Sequence, residues 1–230
     1  MRTCFILLCC FLFSKPHAQT VHAVYQVRQK MASTAAGVID PSVYLTHAGH
    51  LYRSGGQYIY FQRPLYLTEH PTDKSVVQRD NNATVFPLFT DSLQHLRYNN
   101  TDSLISRSRS DVSHGTSEYV VRSFETGAHK WQVFQEKKDV NGMQCQLAKY
   151  IDPSGRELWE AWFTPSVEMQ FGPSWIRDIP GLVVEAHDKQ SGELFTLQSL
   201  ETDVEIAQTV FWPEEFSTAK FIRMKPLLKN

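Results

Sequence analysis

The most regular feature of the chain is an alternation of apolar and polar residues over short segments. In residues 21–27, Val21, Ala23, Tyr25 and Val27 fall on one face of an extended backbone, and such a period of two is typical of a half-buried strand. Similar segments recur along the chain. The pattern predicts strands at residues 21–27, 43–51, 58–67, 118–124, 130–137, 143–151, 157–164, 182–187, 194–200 and 204–212.

Turn-forming sequences separate several of these segments and predict hairpins. They lie at residues 53–56, 152–155 and 188–192. Pro153 occupies the second position of its turn, where a type I turn favours proline. Polar loops are predicted at residues 68–83 and 103–117, and a short helix is predicted to start at Pro213.

The chain shows no long segment with a period of 3.6 residues, no alternation of strands and helices, and no internal repeat. Successive short strands joined by tight turns are typical of antiparallel sheets. We therefore predict a mainly β fold in one domain over residues 19–230. Its architecture is an antiparallel curved sheet or open half-barrel with one or two short helices.

The first residues predict a leader that directs export. Met1-Arg2-Thr3 precedes an uncharged, mostly apolar run over residues 4–13, which has the dimensions of a signal peptide. We predict residues 1–18 as this peptide, with cleavage after Ala18 and a periplasmic or secreted location. A buried first strand and a lipoprotein modified at Cys9 or Cys10 stay open as alternatives.

Composition narrows the function classes. The 230 residues carry a formal net charge of −1, whereas a general nucleic-acid binder needs a strongly basic face. No apolar run approaches the roughly 20 residues of a membrane span. Cleavage after Ala18 would leave Cys145 as the single cysteine, so no internal disulfide is predicted. We expect neither nucleic acid as a partner nor a transmembrane span.

Three ordered blocks in the C-terminal half resemble the GLPGLI family of exported bacterial envelope proteins. Residues 131–148, with Trp131 and Cys145, resemble its W…E-x-K…I-x-G-Y-x-C-x-K-A block. Residues 161–164 resemble its AW[YF]T block. The third resembles its GP…GLPGLI-x-E block and is formed by Phe171-Gly172-Pro173, by Ile179-Pro180-Gly181-Leu182-Val183 and by Glu185.

The resemblance implies an exported β-rich protein of Gram-negative cells, with family-motif residues at Trp131, Cys145, Ala161, Trp162, Gly172, Pro173, Pro180, Gly181 and Leu182. It implies no particular chemistry. A lipoprotein-carrier type of fold is compatible with its size and strand order, as an analogy of fold only. The sequence departs from the family at Asp178, where glycine is usual. Either the backbone there needs no positive φ, or aspartate supplies it.

Residues 171–181 predict a rigid crossover between two strands. Pro173 and Pro180 restrict φ, and a type II turn at Pro180-Gly181 is compatible with the sequence. We expect Phe171, Trp175 and Ile179 to point inward. The candidate ligand-binding residues are Trp162, Phe171, Trp175, Ile179 and Glu185, either as an apolar pocket or as core and surface positions.

Other chemistry-bearing residues predict structural roles. Cys145 alternates with polar neighbours in a strand and is predicted to be a buried thiol. His47 and His50, like Glu157 and Glu160, are three residues apart, so each pair is expected to point to opposite faces of a strand. Hydrolase, P-loop and dinucleotide motifs are absent from the sequence. We predict no catalytic residue, no metal site and no cofactor.

Two classes of function are compatible with these observations. The favoured one is a non-catalytic envelope protein whose sheet binds an apolar ligand or a partner protein. The alternative is an envelope hydrolase, or a metal or redox protein, with a site assembled across strands. Geometry discriminates between them, because chemistry would require a contact between Cys145 and a histidine or a cluster of three ligands.

Overall fold

The computed structural model describes residues 19–30, 44–73, 75–79, 83–87, 97–99, 103–107, 118–123, 130–217 and 220–223. The fold is mainly β, as predicted. The predicted leader, residues 1–18, lies outside the described residues. The described part begins at Gln19, the first residue after the predicted cleavage site. No helix in the described part of the chain has the length and apolarity needed to cross a membrane.

The described residues of the first half of the chain form eight strands and one short helix. These are β1 (Val21–Lys30), β2 (Tyr44–Ser54), β3 (Gln57–Pro64), α1 (Tyr66–Glu69), β4 (Ser75–Arg79), β5 (Ala83–Pro87), β6 (Arg97–Asn99), β7 (Ser103–Arg107) and β8 (Glu118–Ser123).

The described residues of the second half form six strands and two short helical turns. These are β9 (Trp131–Val140), β10 (Met143–Ile151), β11 (Glu157–Thr164), β12 (Leu182–Asp188), β13 (Leu194–Thr202), α2 (Gln208–Phe211), a 3₁₀ turn (Glu214–Ser217) and β14 (Lys220–Arg223).

Twelve of the strands join one sheet in the order β14-β8-β7-β6-β3-β2-β1-β13-β12-β11-β10-β9. The eight strands from β3 through β1 and β13 to β9 are antiparallel throughout. Among the strands of the described residues, only β14 pairs parallel, with β8. Within the described residues the sheet does not close on itself, and β9 and β14 are its edges.

A crossover between β11 and β12, residues 165–181, spans the eight-stranded part of the sheet, and we call it the strap. The Phe171 ring packs edge-on against Tyr58 of β3 at 4.7 Å. The Trp131 indole of β9 donates a hydrogen bond to the Arg177 carbonyl at 2.8 Å. Phe171 and Arg177 themselves form a β-bridge.

These contacts require a curved sheet. In a flat sheet, β3 and β9 would be separated by about seven strand spacings, or about 34 Å. The bridged pair Phe171 and Arg177 contacts both strands, so the two ends of the eight-stranded part must approach each other. The prediction of an open, curved half-barrel is confirmed, and the strap crosses its opening.

The strap backbone fits closely against its neighbours. A Cβ on Gly181 would lie 2.3 Å from the Thr164 carbonyl oxygen, and a Cβ on Gly172 would lie 2.9 Å from Ile176 and from Val183. Asp178 adopts a φ of 60°. Aspartate therefore supplies the left-handed conformation at the position where the resembling family has glycine.

The turn that enters β12 differs from the type II turn suggested by the sequence. The Gly181 N–H bonds to the Ile179 carbonyl at 3.0 Å, two residues back, which is the pattern of a γ-turn. The following N–H, of Leu182, instead donates to the Val167 carbonyl at 3.0 Å. The Leu182 N–H, which a type II turn would bond to the Ile179 carbonyl, is therefore bonded to the strap residue Val167 instead.

Two apolar clusters cover the sheet. The main core is built from strands of the eight-stranded part together with the strap, and it contains Tyr25, Phe163, Ile176, Leu182 and Phe195 among others. The second cluster is centred on Ile59, Ile105, Phe211 and Phe216. It is covered by residues 206–217, which we call the C-terminal cap.

Four predicted segments have a different structure. The loop predicted at residues 68–83 contains strand β4, Ser75–Arg79. The prediction of a strand at residues 204–212 is wrong, since Gln208–Phe211 is helical. The helical turn allows Ile206 and Val210, four residues apart, to pack against the second cluster. Strand β3 ends at Pro64 rather than residue 67. The predicted loop at 103–117 begins with strand β7, whose Leu104 and Ile105 are buried.

Candidate functional site

The three blocks that resemble the GLPGLI family converge at one place on the sheet. Lys138, the lysine of the E-x-K pattern, lies opposite Cys145 in the pairing of β9 with β10. Trp162 of β11 lies opposite Glu185 of β12. Directly opposed residues of antiparallel strands point to the same side. We call Lys138, Trp162 and Glu185 the lysine clamp.

The lysine clamp joins β9 to two strands that are not its neighbours, β11 and β12. The Lys138 ammonium lies 4.4 Å from the centre of the Trp162 ring and forms an ion pair with the Glu185 carboxylate. Lys138 therefore reaches from β9 across β10. The Lys138 and Glu185 side chains are 36% and 34% exposed, so each contact contributes about 1 kcal/mol or less.

Cys145, the register partner of Lys138, is a buried thiol, as predicted. Only 1% of the residue is exposed, and its S–H contacts the Met143 carbonyl at 3.4 Å. Burial is the largest cause that raises the pKa of the Cys145 thiol. Nucleophilic cysteines need the opposite shift, so this thiol is poorly suited to catalysis.

Of the three strap residues that were predicted to point inward, one points outward. Phe171 and Ile179 are buried in the main core, as expected, but Trp175 is 41% exposed. Ile176 is only 2% exposed and occupies the inward position instead. The Ile176 N–H closes a turn on Pro173 at 3.2 Å, with Ser174 at φ 57°. Trp175 is a central residue of that turn, which directs its side chain outward.

The five candidate ligand-binding residues thus occupy three environments. Trp162 and Glu185 meet in the lysine clamp. Phe171 and Ile179 belong to the main core. Trp175 is at the exposed tip of the strap. Signals for an outward Trp175 were present in the sequence, since Pro173-Ser174 predicts a turn and the side chains at the centre of a turn point outward.

Glu157 and Glu160 lie on the same side of β11, so the prediction of opposite faces is wrong. The Lys149 ammonium is 3.0 Å from Glu157 and 3.7 Å from Glu160, and Lys189 is 3.7 Å and 3.4 Å from the same two carboxylates. A β-bulge changes the alternation, because Tyr150 pairs with Trp159 and Ile151 with Glu157.

In this arrangement the two carboxylates are paired with lysines, which does not favour a role in acid–base chemistry. The hydrogen bond from Lys149 to Glu157 is the main cause that raises the Lys149 pKa. The Lys189 ammonium also lies 3.0 Å from His187 Nδ1. Both glutamates therefore belong to a surface ion-pair network that links β10, β11 and the end of β12.

A group of ring side chains that the sequence did not reveal lies on the opposite side of β2 from His47. His47 is fully buried and His50 half-buried, which confirms that the two point to opposite faces. His22 lies 3.3 Å from His50, Nε2 to Nδ1, and its Nδ1 lies 2.9 Å from Glu201. Tyr52 stacks on His22 at 4.1 Å and Phe61 on His50 at 5.3 Å.

We call His22, His50, Tyr52, Phe61 and Glu201 the histidine ladder. Its members come from β1, β2, β3 and β13, and their convergence depends on the register of β1 with both β2 and β13. That register brings together residues 179 positions apart in the chain, so no local pattern could predict it. In the described part of the chain, no group of three or more His, Cys, Asp or Glu residues is arranged to hold a metal ion.

Comparisons with known proteins identify a fold relationship only. No protein-family model matches the chain, and no curated protein does. The chain is similar to PNGF-II in two crystal forms, P21 and C2, with 15% and 13% identity and a TM-score of 0.53 in each case. Each match covers 92% of this chain but 32% of PNGF-II. The chain therefore spans about a third of that protein's length and shares a fold with that part.

Proposed function

We propose that this chain is a non-catalytic, exported envelope protein that binds a partner protein through the strap, with Trp175 as the central contact. The observation that carries this proposal is an exposed tryptophan on a fixed backbone. Trp175 is 41% exposed, while the strap on either side of it is attached to Tyr58 of β3 and to Trp131 of β9.

Such a tryptophan has the properties of a binding hot spot. Tryptophan is enriched among the residues that dominate protein–protein binding energy. A rigid backbone reduces the conformational entropy that is lost on binding. Ile176 supplies a buried contact next to it. The outward direction favours a partner protein over an apolar ligand held inside the half-barrel.

Two further observations support binding over the alternative of a hydrolase, metal or redox protein. The pKa of the Cys145 thiol is raised by burial, which opposes formation of a thiolate. Glu157 and Glu160 each contact two lysines, so both carboxylates are engaged in ion pairs. The proposed export to the periplasm rests on the leader-like residues 1–18 and on the GLPGLI resemblance.

The proposal is tested by site-specific photo-crosslinking in intact cells of the native host. A photoreactive phenylalanine analogue replaces Trp175 in one variant and Trp212 in the control, because Trp212 is similarly exposed, at 49%. We expect a discrete protein adduct from position 175 and none from position 212. The same adducts from both positions, or none from position 175, would overturn the proposal.

A further inference from the structure

The hydrogen bonds of the histidine ladder limit where its protons can lie. The Glu201 carboxylate can only accept a hydrogen bond, so His22 donates from Nδ1. Neutral His22 then presents the lone pair of Nε2 to His50, and His50 donates from Nδ1 across the 3.3 Å contact. In this arrangement both imidazoles are hydrogen-bonded without an additional proton.

The ladder accepts one additional proton without losing a bond. A proton on Nε2 of His22 places the imidazolium next to Glu201, and His50 accepts from it after its own proton moves to Nε2. A second additional proton has no such solution. Both facing nitrogens then carry N–H groups at 3.3 Å, so the hydrogen bond is lost and two cations oppose each other.

The ladder is also part of the boundary of the second apolar cluster. Tyr52 and Phe61 stack on the two imidazoles and pack against the cluster that holds Phe211 and Phe216 of the C-terminal cap. A displacement of His50 is therefore transmitted to the rings that support the cap. We propose that His22 and His50 form a proton-binding site that controls how tightly the C-terminal cap is held on the sheet.

The other groups around the site set the direction of the response. Glu201 on β13 is the acidic group that faces the pair, and Tyr52 on β2 has a pKa raised by burial, so it stays neutral. Phe61, Phe211 and Phe216 carry no charge. No carboxylate among these contacts is placed to compensate a cation on His50.

Acid is expected to release the cap. Burial, and secondarily the nearby His22, lowers the pKa of His50 below the ordinary value of 6.5. A state with the cap released exposes His50 to water and binds the second proton more readily. Release is therefore promoted as the pH falls below about 6.5, and the closed state is favoured above it.

Hydrogen–deuterium exchange of the mature full chain tests the proposal, with rates corrected for the intrinsic effect of pH. Between pH 7.5 and pH 5.5 we expect corrected exchange in residues 206–217 to rise several-fold, while residues 143–164 of the main core stay unchanged. An equal rise in both regions, or none in residues 206–217, would overturn the proposal whatever the variants show.

Two substitutions locate the effect. His50→Gln removes the second protonation site and should abolish the pH-dependent rise. His187→Gln is the matched control, because His187 also has a pKa lowered by burial but lies in the ion-pair network of β12. It should retain the wild-type response. A response retained in His50→Gln, or lost in His187→Gln, would contradict the assignment to the ladder. None of these outcomes depends on partner binding at Trp175.

Discussion

The strap and the C-terminal cap both cover the same sheet, yet they are held in different ways. The strap is fixed by its backbone. Gly181 lies against the Thr164 carbonyl. The Arg177 carbonyl accepts a hydrogen bond from the Trp131 indole, and the Val167 carbonyl accepts one from the Leu182 N–H of β12. The cap is held mainly through side chains, with Phe211 and Phe216 in the second cluster. A backbone-level fit resists movement, whereas side-chain contacts bordered by histidines can respond to the solvent.

The largest expected effect on stability comes from a substitution that disrupts the fit of the strap. In Gly181→Ala, the new Cβ would lie 2.3 Å from a backbone oxygen, and neither the strap nor β11 can shift without losing buried contacts. We expect a loss of at least about 3 kcal/mol in the free energy of unfolding, at the upper end of overpacking costs. Urea denaturation measures it.

Gly155→Ala is the matched control for this substitution. Gly155 also has a positive φ, 85°, but a Cβ at this position would have no other atom within 4 Å. Backbone strain alone should cost about 1–2 kcal/mol. Equal losses in the two variants would mean that conformation, and not close approach, is what Gly181 provides.

Neighbouring residues of the strap should differ sharply in their contribution to stability. Ile176→Ala removes a side chain buried in the main core and should cost about 2–5 kcal/mol. Trp175→Ala removes a ring that is 41% exposed and should cost less, about 1 kcal/mol. Urea unfolding of both variants checks this. A loss above about 3 kcal/mol for Trp175→Ala, the range of a buried aromatic ring, would mean that the ring belongs to the core and would contradict its role as a binding contact.

The sequence predicted the strand segments of the C-terminal half well, because hairpin turns such as 152–155 separate clear alternations. The alternation of side chains along a strand also predicted the burial of Cys145 and the opposite directions of His47 and His50. It failed where alternation is interrupted: the bulge between β10 and β11 moved Glu157 to the side of Glu160. It could not predict the lysine clamp or the histidine ladder, since these depend on strand order and register.

Cys145 should contribute a moderate amount of stability from the main core. Cys145→Ser places a hydroxyl in a buried site and should cost about 1–3 kcal/mol. Cys145→Ala, which adds no polar group, should cost less than the serine variant if desolvation dominates. The native thiol should react slowly with a thiol reagent and rapidly in urea. Rapid labelling of the native protein would contradict its burial.

The smallest expected effect concerns the lysine clamp, which lies outside the backbone-fitted region. A double-mutant cycle with Lys138→Met and Glu185→Gln isolates the ion pair and keeps most of the aliphatic packing on Trp162. Both side chains are about one-third exposed, so the coupling energy should be about 1 kcal/mol or less. It should decrease in 1 M salt, where the screening length falls to about 3 Å. A salt-insensitive coupling above about 2 kcal/mol would mean that the clamp is effectively buried. In that case the lysine clamp would hold β9, β11 and β12 as firmly as the strap is held, and the contrast between backbone-fitted and side-chain-held regions would be restricted to the C-terminal cap.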